Sequence, residues 1–365
     1  MIRISCPSLP PLDAYIDCLE EIWDSKMLSN YGNYANAFEY EIRRASGGIF
    51  CQLVSSCDLG LIITLKAFKF TFGSEIIVPS FTFNSTGNAI LWNNCIPKFV
   101  DISLSDLNLD LDDLSEKISK KTAAILATNT FGNPSDMKPL VEIAHDHDIP
   151  LIFDSAHALG ARYLGKPIAQ YGDAHVFSFG GTKIVTSGEG GAVVTPHKGI
   201  AKRIEYLRNS GFLSDYNGKY LGLNAKMSEL NAALGWLNIK RLNSNLKTRD
   251  ACYKRYKKAL KSSRYYSQYI YPKNTSTHPY YTLVYISPKD CSKAKEVLAK
   301  HGIGTKQYYF PLHKMDYFRR FNNNDLENTD YIYPRILNLP IHTDMDMDTT
   351  DYVTYWVTRA LHGRS

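Results

Sequence analysis

Between Glu75 and Thr195 the chain alternates short β-rich runs with helical stretches, and this alternation constrains the fold more than any other feature. The runs are Glu75 to Val78, Lys98 to Ile102, Ala123 to Ala127, Leu151 to Phe153, His175 to Phe179 and Gly191 to Val194. Between them lie segments such as Pro139 to His147, whose Leu140, Ile143 and Ala144 recur at helical spacing. The order predicts a layered α/β sheet whose strands are mostly parallel and buried. Ligands of such sheets collect outside the carboxyl ends of the strands, so a polar residue placed just after an apolar run is a candidate for chemistry. Asp154, which follows Leu151-Ile152-Phe153, is the clearest of these.

Beyond about Tyr220 the character changes to helical material from Met227 to Ala259, then to a smaller α/β portion from about Pro272 to the end. The stretch Pro272 to Pro279 reads as a loop leading into a strand from Tyr280 to Ile286. A boundary near Asn243 predicts a large domain over 1–243 and a smaller one over 244–365. With 365 residues, 44% hydrophobic and 21% charged, there is ample material for both cores. Much of the +6 net charge lies between Lys240 and Arg264 at helix-like spacing, which reads as a solvated helix face; no nucleic-acid motif accompanies it, so no nucleic-acid partner is expected. The seven cysteines are scattered without C-x-x-C pairs or zinc spacing, so no metal site is expected and a reducing cytoplasm is the expected location. The start from Met1 to Pro7 lacks the apolar stretch of a signal peptide, and no run is long and apolar enough for a membrane span.

Three places carry candidate chemistry. In Phe177-Ser178-Phe179-Gly180-Gly181-Thr182-Lys183, a single lysine follows an apolar run among small and hydroxylated residues. Burial in such surroundings favours the neutral amine that carbonyl chemistry needs, and Ser178 offers a hydroxyl to a phosphate. In Asp154-Ser155-Ala156-His157-Ala158-Leu159-Gly160, a carboxylate at a strand end requires a cationic partner, and the protonated pyridine nitrogen of pyridoxal phosphate is one. His157 then falls near the cofactor's phenolic oxygen or ring face. In Val54-Ser55-Ser56-Cys57-Asp58, small polar residues run into a helical pattern from Leu61 to Phe68, and the N–H groups of such a start bind anions. Each place alone also admits an ordinary reading: a loop lysine, a capping aspartate beside a core histidine, a plain helix cap.

Together and in this order, the strings resemble the sugar aminotransferases of the DegT/DnrJ/StrS family, which share the fold-type I architecture of aspartate aminotransferase. The resemblance runs over nearly the whole chain. It includes Leu28-Ser29-Asn30-Tyr31-Gly32, Val78-Pro79-Ser80-Phe81-Thr82-Phe83, Pro97-Lys98-Phe99-Val100-Asp101-Ile102, Phe131-Gly132-Asn133-Pro134, Asn224-Ala225-Lys226-Met227-Ser228-Glu229-Leu230, Gly302-Ile303-Gly304-Thr305 and Leu337-Asn338-Leu339-Pro340. It implies pyridoxal 5′-phosphate as cofactor, Lys183 as the Schiff-base lysine and proton shuttle, and Asp154 on the pyridine nitrogen. Phe83 takes the place of the aromatic ring over the cofactor, and Ser178 that of the hydroxyl at the phosphate. Asn224 and Lys226 fall in the segment that reaches a neighbouring subunit's cofactor, which implies a homodimer with shared active sites.

The chain departs from the family pattern at three points. Cys57-Asp58 stands where the family has Gly-Thr, so Asp58 is expected to point away from the phosphate, leaving backbone N–H groups to bind it. His157 replaces a usual glutamine and Lys226 a usual arginine; both keep a donor in place. Tyr308, Tyr309, His313 and His342 are candidates for lining the sugar or nucleotide pocket. The implied reaction moves an amino group from glutamate to a nucleotide-linked keto-deoxysugar, with dTDP-4-keto-6-deoxyglucose the first choice and C3 amination of the isomeric 3-keto sugar the rival. Lys183 argues against the dehydratases of the family, which usually carry histidine there. A cofactor-binding regulator would normally carry an added DNA-binding module, and none is visible.

Overall fold

The computed structural model describes residues 1–261, 268–269, 275–287, 289–322 and 325–361. Its centre is a seven-stranded sheet in the order Phe50–Val54, Gly191–Thr195, Ala174–Ser178, Leu151–Asp154, Thr122–Thr128, Glu75–Pro79 and Ile96–Val100. Gly191–Thr195 is antiparallel to both of its neighbours, and the remaining pairs are parallel. The alternation of strands and helices thus builds the layered, mostly parallel sheet expected of it, in the fold-type I arrangement that the family resemblance implied. Each expected run falls on a strand of this sheet, and Phe50–Val54 is the edge strand that sequence reading did not anticipate.

The central strands are mostly apolar because both faces of the sheet are covered, while the edge strands Phe50–Val54 and Ile96–Val100 carry the polar Gln52 and Lys98. Side chains alternate between the two sides: Ile76, Val78, Ile152 and Val176 enter one core cluster, while Ile77, Leu151, Phe153 and Phe177 enter the other. Each fully buried side chain of this size contributes about 1.5–3 kcal/mol. The strand ends are thereby held in fixed register, with Asp154 opposite Thr128 on one side and Val176 on the other.

The helix Cys57–Phe68 begins at Ser56, whose hydroxyl accepts a hydrogen bond from the Leu59 N–H at 3.2 Å. Its start packs on Gly191, where an added Cβ would sit 2.8 Å from the Cys57 nitrogen. Only glycine lets that strand approach the helix backbone so closely.

The expected helical stretch from Met227 to Ala259 is two helices, Glu229–Ile239 and Leu242–Lys261. Beyond them, Leu283–Ile286 pairs antiparallel with Gln268–Tyr269 and Ile336–Leu339, backed by the helices Ser292–Lys300 and Met347–Leu361. Of the expected loop from Pro272 to Pro279, residues 272–274 lie outside the described residues and Thr275–Thr277 forms a short strand. The strand expected from Tyr280 starts only at Leu283. The Arg249 guanidinium engages the carbonyls of Pro279 and Tyr280 at 3.4 and 3.2 Å, and Tyr280 has φ +44°, so the backbone turns here instead of joining the ladder. Arg249 is also the exception to the solvated helix face. Lys247, Lys254, Arg255 and Lys258 are exposed, but Arg249 is only 1% exposed. All seven cysteines are free, and among the described residues no helix is long and apolar enough to cross a membrane.

Candidate active site

The carboxyl ends of four parallel strands and the loops after them surround a cavity of about 300 Å³. Thr82, Phe83 and Ser85 follow Glu75–Pro79; Thr128, Asn129 and Thr130 close Thr122–Thr128; Asp154, Ala156 and His157 close Leu151–Asp154; Ser178, Thr182 and Lys183 close Ala174–Ser178. The start of the helix Cys57–Phe68 adds Cys57 and Asp58, and the C-terminal portion adds Tyr281, Tyr308 and Tyr309. The three sequence candidates, distant along the chain, thus meet in one cavity.

Asp154 is 8% exposed and accepts two hydrogen bonds, from the Thr86 hydroxyl at 2.7 Å and from the Ala156 N–H at 3.1 Å. Burial pushes its carboxyl above the ordinary range, against the pull of those two donors and of the Lys183 charge. A carboxylate held in this way is stabilised by any cation brought to it.

Lys183 is half-buried on the loop after Ala174–Ser178, with Nζ 4.7 Å from the centroid of the Tyr281 ring. The same Tyr281 ring carries the His157 imidazole, centroids 3.6 Å apart and planes 8° from parallel. Nδ1 of His157 lies 3.2 Å from the Tyr309 hydroxyl. Burial, then repulsion from Lys183 and Arg249, holds His157 well below the ordinary imidazole range, so it is neutral near pH 7.

Other sequence candidates divide into two groups. Phe83, 55% exposed, stands over the cavity mouth with its ring 6.4 Å from that of Tyr309; Ser178 lines the wall. Asp58, expected to turn away, is exposed but lines the cavity; burial raises the Cys57 thiol as it does the Asp154 carboxyl, and the Asp58 charge adds a smaller push to both. Ser56 stays behind the cavity as a helix cap. His313 does not line this cavity: its ring bonds Ser80 at 2.6 Å and Asp330 at 3.1 Å. His342 bonds the Arg3 carbonyl at 3.2 Å, also away from it. Within one chain Asn224 and Lys226 do not reach it either. Asn224 forms a backbone bridge with Asn209, and Lys226 bonds the Asn209 side chain and lines a second cavity with Tyr31, Glu39 and Arg208.

Sequence reading missed Thr86 and Tyr281. Thr86 had a faint signal, a hydroxyl in the first turn after Phe83. Tyr281 had none, because it reads as one more apolar residue entering a strand.

These residues fit pyridoxal 5′-phosphate. Asp154 could offer a buried acceptor to a protonated ring nitrogen, Lys183 an amine to the aldehyde, and Phe83 a ring face. The first-turn N–H groups of Cys57 and Asp58, with Ser178, supply donors for the phosphate.

The chain is similar to known proteins over nearly its whole length. The dTDP-4-amino-4,6-dideoxy-D-glucose transaminase of Escherichia coli is 29% identical, across 97% of this chain and 97% of its own length. The UDP-4-amino-4,6-dideoxy-N-acetyl-β-L-altrosamine transaminase of Campylobacter jejuni is 30% identical, across 93% of this chain and 92% of its own. A crystal structure of DesI with its TDP-sugar product superposes with a TM-score of 0.93 at 28% identity, covering 100% of this chain and 94% of that one. With its sequence profile matched over residues 13–358, the chain belongs to the DegT/DnrJ/EryC1/StrS aminotransferase family, enzymes that work with pyridoxal 5′-phosphate.

Proposed function

We propose that this aminotransferase moves an amino group from glutamate to a nucleotide-linked 4-keto-6-deoxysugar, with dTDP-4-keto-6-deoxyglucose the first substrate to test and Lys183 the covalent anchor of the cofactor. The observation that carries this reading is that Lys183, Asp154 and the start of the helix Cys57–Phe68 line one cavity. Support for C4 comes from the two transaminases above, whose names both place the amine there, one on a dTDP sugar and one on a UDP sugar.

When bound, the cofactor supplies a carbon that carries nitrogen from donor to acceptor and a ring that draws electron density from the breaking C–H bond. Asp154 keeps the ring nitrogen protonated, which maintains that pull. The Lys183 amine, once freed, would take the α-proton of the amino acid at Nζ and pass it to the cofactor carbon that keeps the nitrogen, and in the second half would carry a proton from that carbon to the sugar carbon that receives the amine. The helix start holds the phosphate, and Phe83 covers the ring and limits its tilt. Tyr308 and Tyr309, which line the same cavity, are the candidate contacts for the sugar. Asn224 and Lys226 act from a second copy of the chain in a homodimer, where the segment carrying the exposed Tyr216 and Leu221, each 84% exposed, is covered.

The test is to incubate the purified enzyme and glutamate with dTDP-4-keto-6-deoxyglucose and, separately, with its 3-keto isomer, and to locate the new amine by NMR. An amine at C4 supports the reading. Amination at C3 of a 3-keto isomer, or no amination of either sugar, overturns the substrate assignment.

A further inference from the structure

Two tyrosines fix the His157 ring in different ways. Tyr281 stacks on its face and sets its plane, and Tyr309 reaches Nδ1 with its hydroxyl. Tyr309 is itself firmly held: it is 7% exposed, stacked on Phe131 at 5.2 Å with planes 11° apart, and edge-on to Phe81 at 5.6 Å. Among the described residues the Tyr309 hydroxyl has no other hydrogen-bond partner than Nδ1. Burial keeps its phenol protonated, and because this buried O–H has no other acceptor among the described residues, its proton is satisfied only by donation to the Nδ1 lone pair. A neutral imidazole that accepts at Nδ1 carries its own proton on Nε2. Nε2 has no protein partner among the described residues, while His157 lines the cavity.

With pyridoxal 5′-phosphate in the cavity, as proposed above, we propose that Tyr309 is a positioning residue that holds His157 in the Nε2–H tautomer, so that His157 presents a fixed neutral donor to the cofactor's ring oxygen. Without the Tyr309 hydroxyl both tautomers are open, and the donor is present only part of the time. Histidine at this position depends on the second residue in a way that a side-chain amide, which always carries N–H donors, would not.

The experiment compares the native enzyme, Tyr309→Phe, His157→Gln and the double variant, titrating the visible absorbance of the bound cofactor against pH. A donor at the ring oxygen favours its anionic form, so Tyr309→Phe raises the midpoint by about half to one pH unit where His157 is present. The same change leaves the midpoint in place in the His157→Gln background, because the amide donates without help. Equal displacement in both backgrounds, or none in either, overturns the inference. A second reading uses cofactor-free protein labelled with 15N-histidine, the His157 signal being the one lost in His157→Gln. The native signal is that of the Nε2–H tautomer, and Tyr309→Phe moves it toward a mixture; a native Nδ1–H signal overturns the inference. If the native protein takes up no coloured cofactor, the functional reading fails, and the nitrogen spectrum still decides the tautomer.

Discussion

The Thr86 hydroxyl donates to Oδ2 of Asp154 at 2.7 Å, joining the first helix after one parallel strand to the carboxylate at the end of another. Asp154 is thereby aimed before any ligand arrives, and the energy of aiming it is met during folding. Removing the hydroxyl while keeping the shape leaves a buried carboxylate oxygen with one partner fewer. Thr86→Val should lower the stability of the cofactor-free protein by about 1–3 kcal/mol, read from the midpoint of urea unfolding, while Thr86→Ser retains most of it. Unchanged stability in Thr86→Val would show that water replaces the hydroxyl without cost.

On the proposed function, Lys183→Ala removes both the anchor and the proton carrier. The variant should lose the visible band of the lysine-bound cofactor, and turnover should fall by at least about a hundredfold, the smaller end of what a positioned acid–base group contributes. A colourless but fully active variant would exclude Lys183 from the chemistry.

Asp154→Asn keeps the volume and the Thr86 side chain in place but withdraws the charge that, on the proposed function, holds the ring nitrogen protonated. Turnover should drop about a hundredfold or more, while the protein still binds the cofactor with weaker affinity, measured by equilibrium titration of the cofactor-free protein.

Gly191→Ala places a methyl group where the start of the helix Cys57–Phe68 now lies, 2.8 Å from the Cys57 nitrogen and 2.9 Å from the Ser56 carbonyl carbon. Backbone on both sides leaves no flexible side chain to move, so the helix start must shift. Cofactor affinity should weaken by about tenfold, the equivalent of 1.4 kcal/mol at the phosphate donors, with a smaller effect on the later steps of turnover.

His175 sets an acid limit on stability. It is 1% exposed, with Nδ1 2.9 Å from the Ser155 hydroxyl and Nε2 2.8 Å from the Tyr171 carbonyl, and burial pushes its pKa down to about 4. The unfolded chain takes up this proton near pH 6.5, the folded protein only near pH 4. Stability is therefore full above pH 6.5 and is lost as pH falls toward 4, by up to about 3 kcal/mol from this group. Urea midpoints measured from pH 7.5 to 4.5 should show that slope, and His175→Gln should reduce it, leaving the contributions of His157 and His278, which burial lowers in the same way.

The fold was legible because a strand buried on both faces must be apolar along its whole length, and the helices between such strands must carry one apolar stripe. Leu151-Ile152-Phe153 followed by Asp154 states both the strand and its polar end in four residues. Phe50–Val54 escaped because Gln52 interrupts its apolar character, as an edge strand permits. Lys183, Asp154 and the Ser56-Cys57-Asp58 helix start stood out locally, as single polar groups set among small or apolar neighbours.

What sequence order by itself determined is therefore the layered sheet, the strand ends and the chemical types gathered there. Which side chains meet was left to tertiary structure. Thr86 reaches Asp154 from 68 positions away, and Tyr309 reaches His157 from 152. His313 and His342, of the same residue types as the cavity side chains, are turned to Asp330 and to the Arg3 carbonyl instead. The physical reason is that periodicity records which face of an element is buried, whereas a hydrogen bond between distant elements depends on how the packed layers set their spacing and rotation, and no local pattern encodes those.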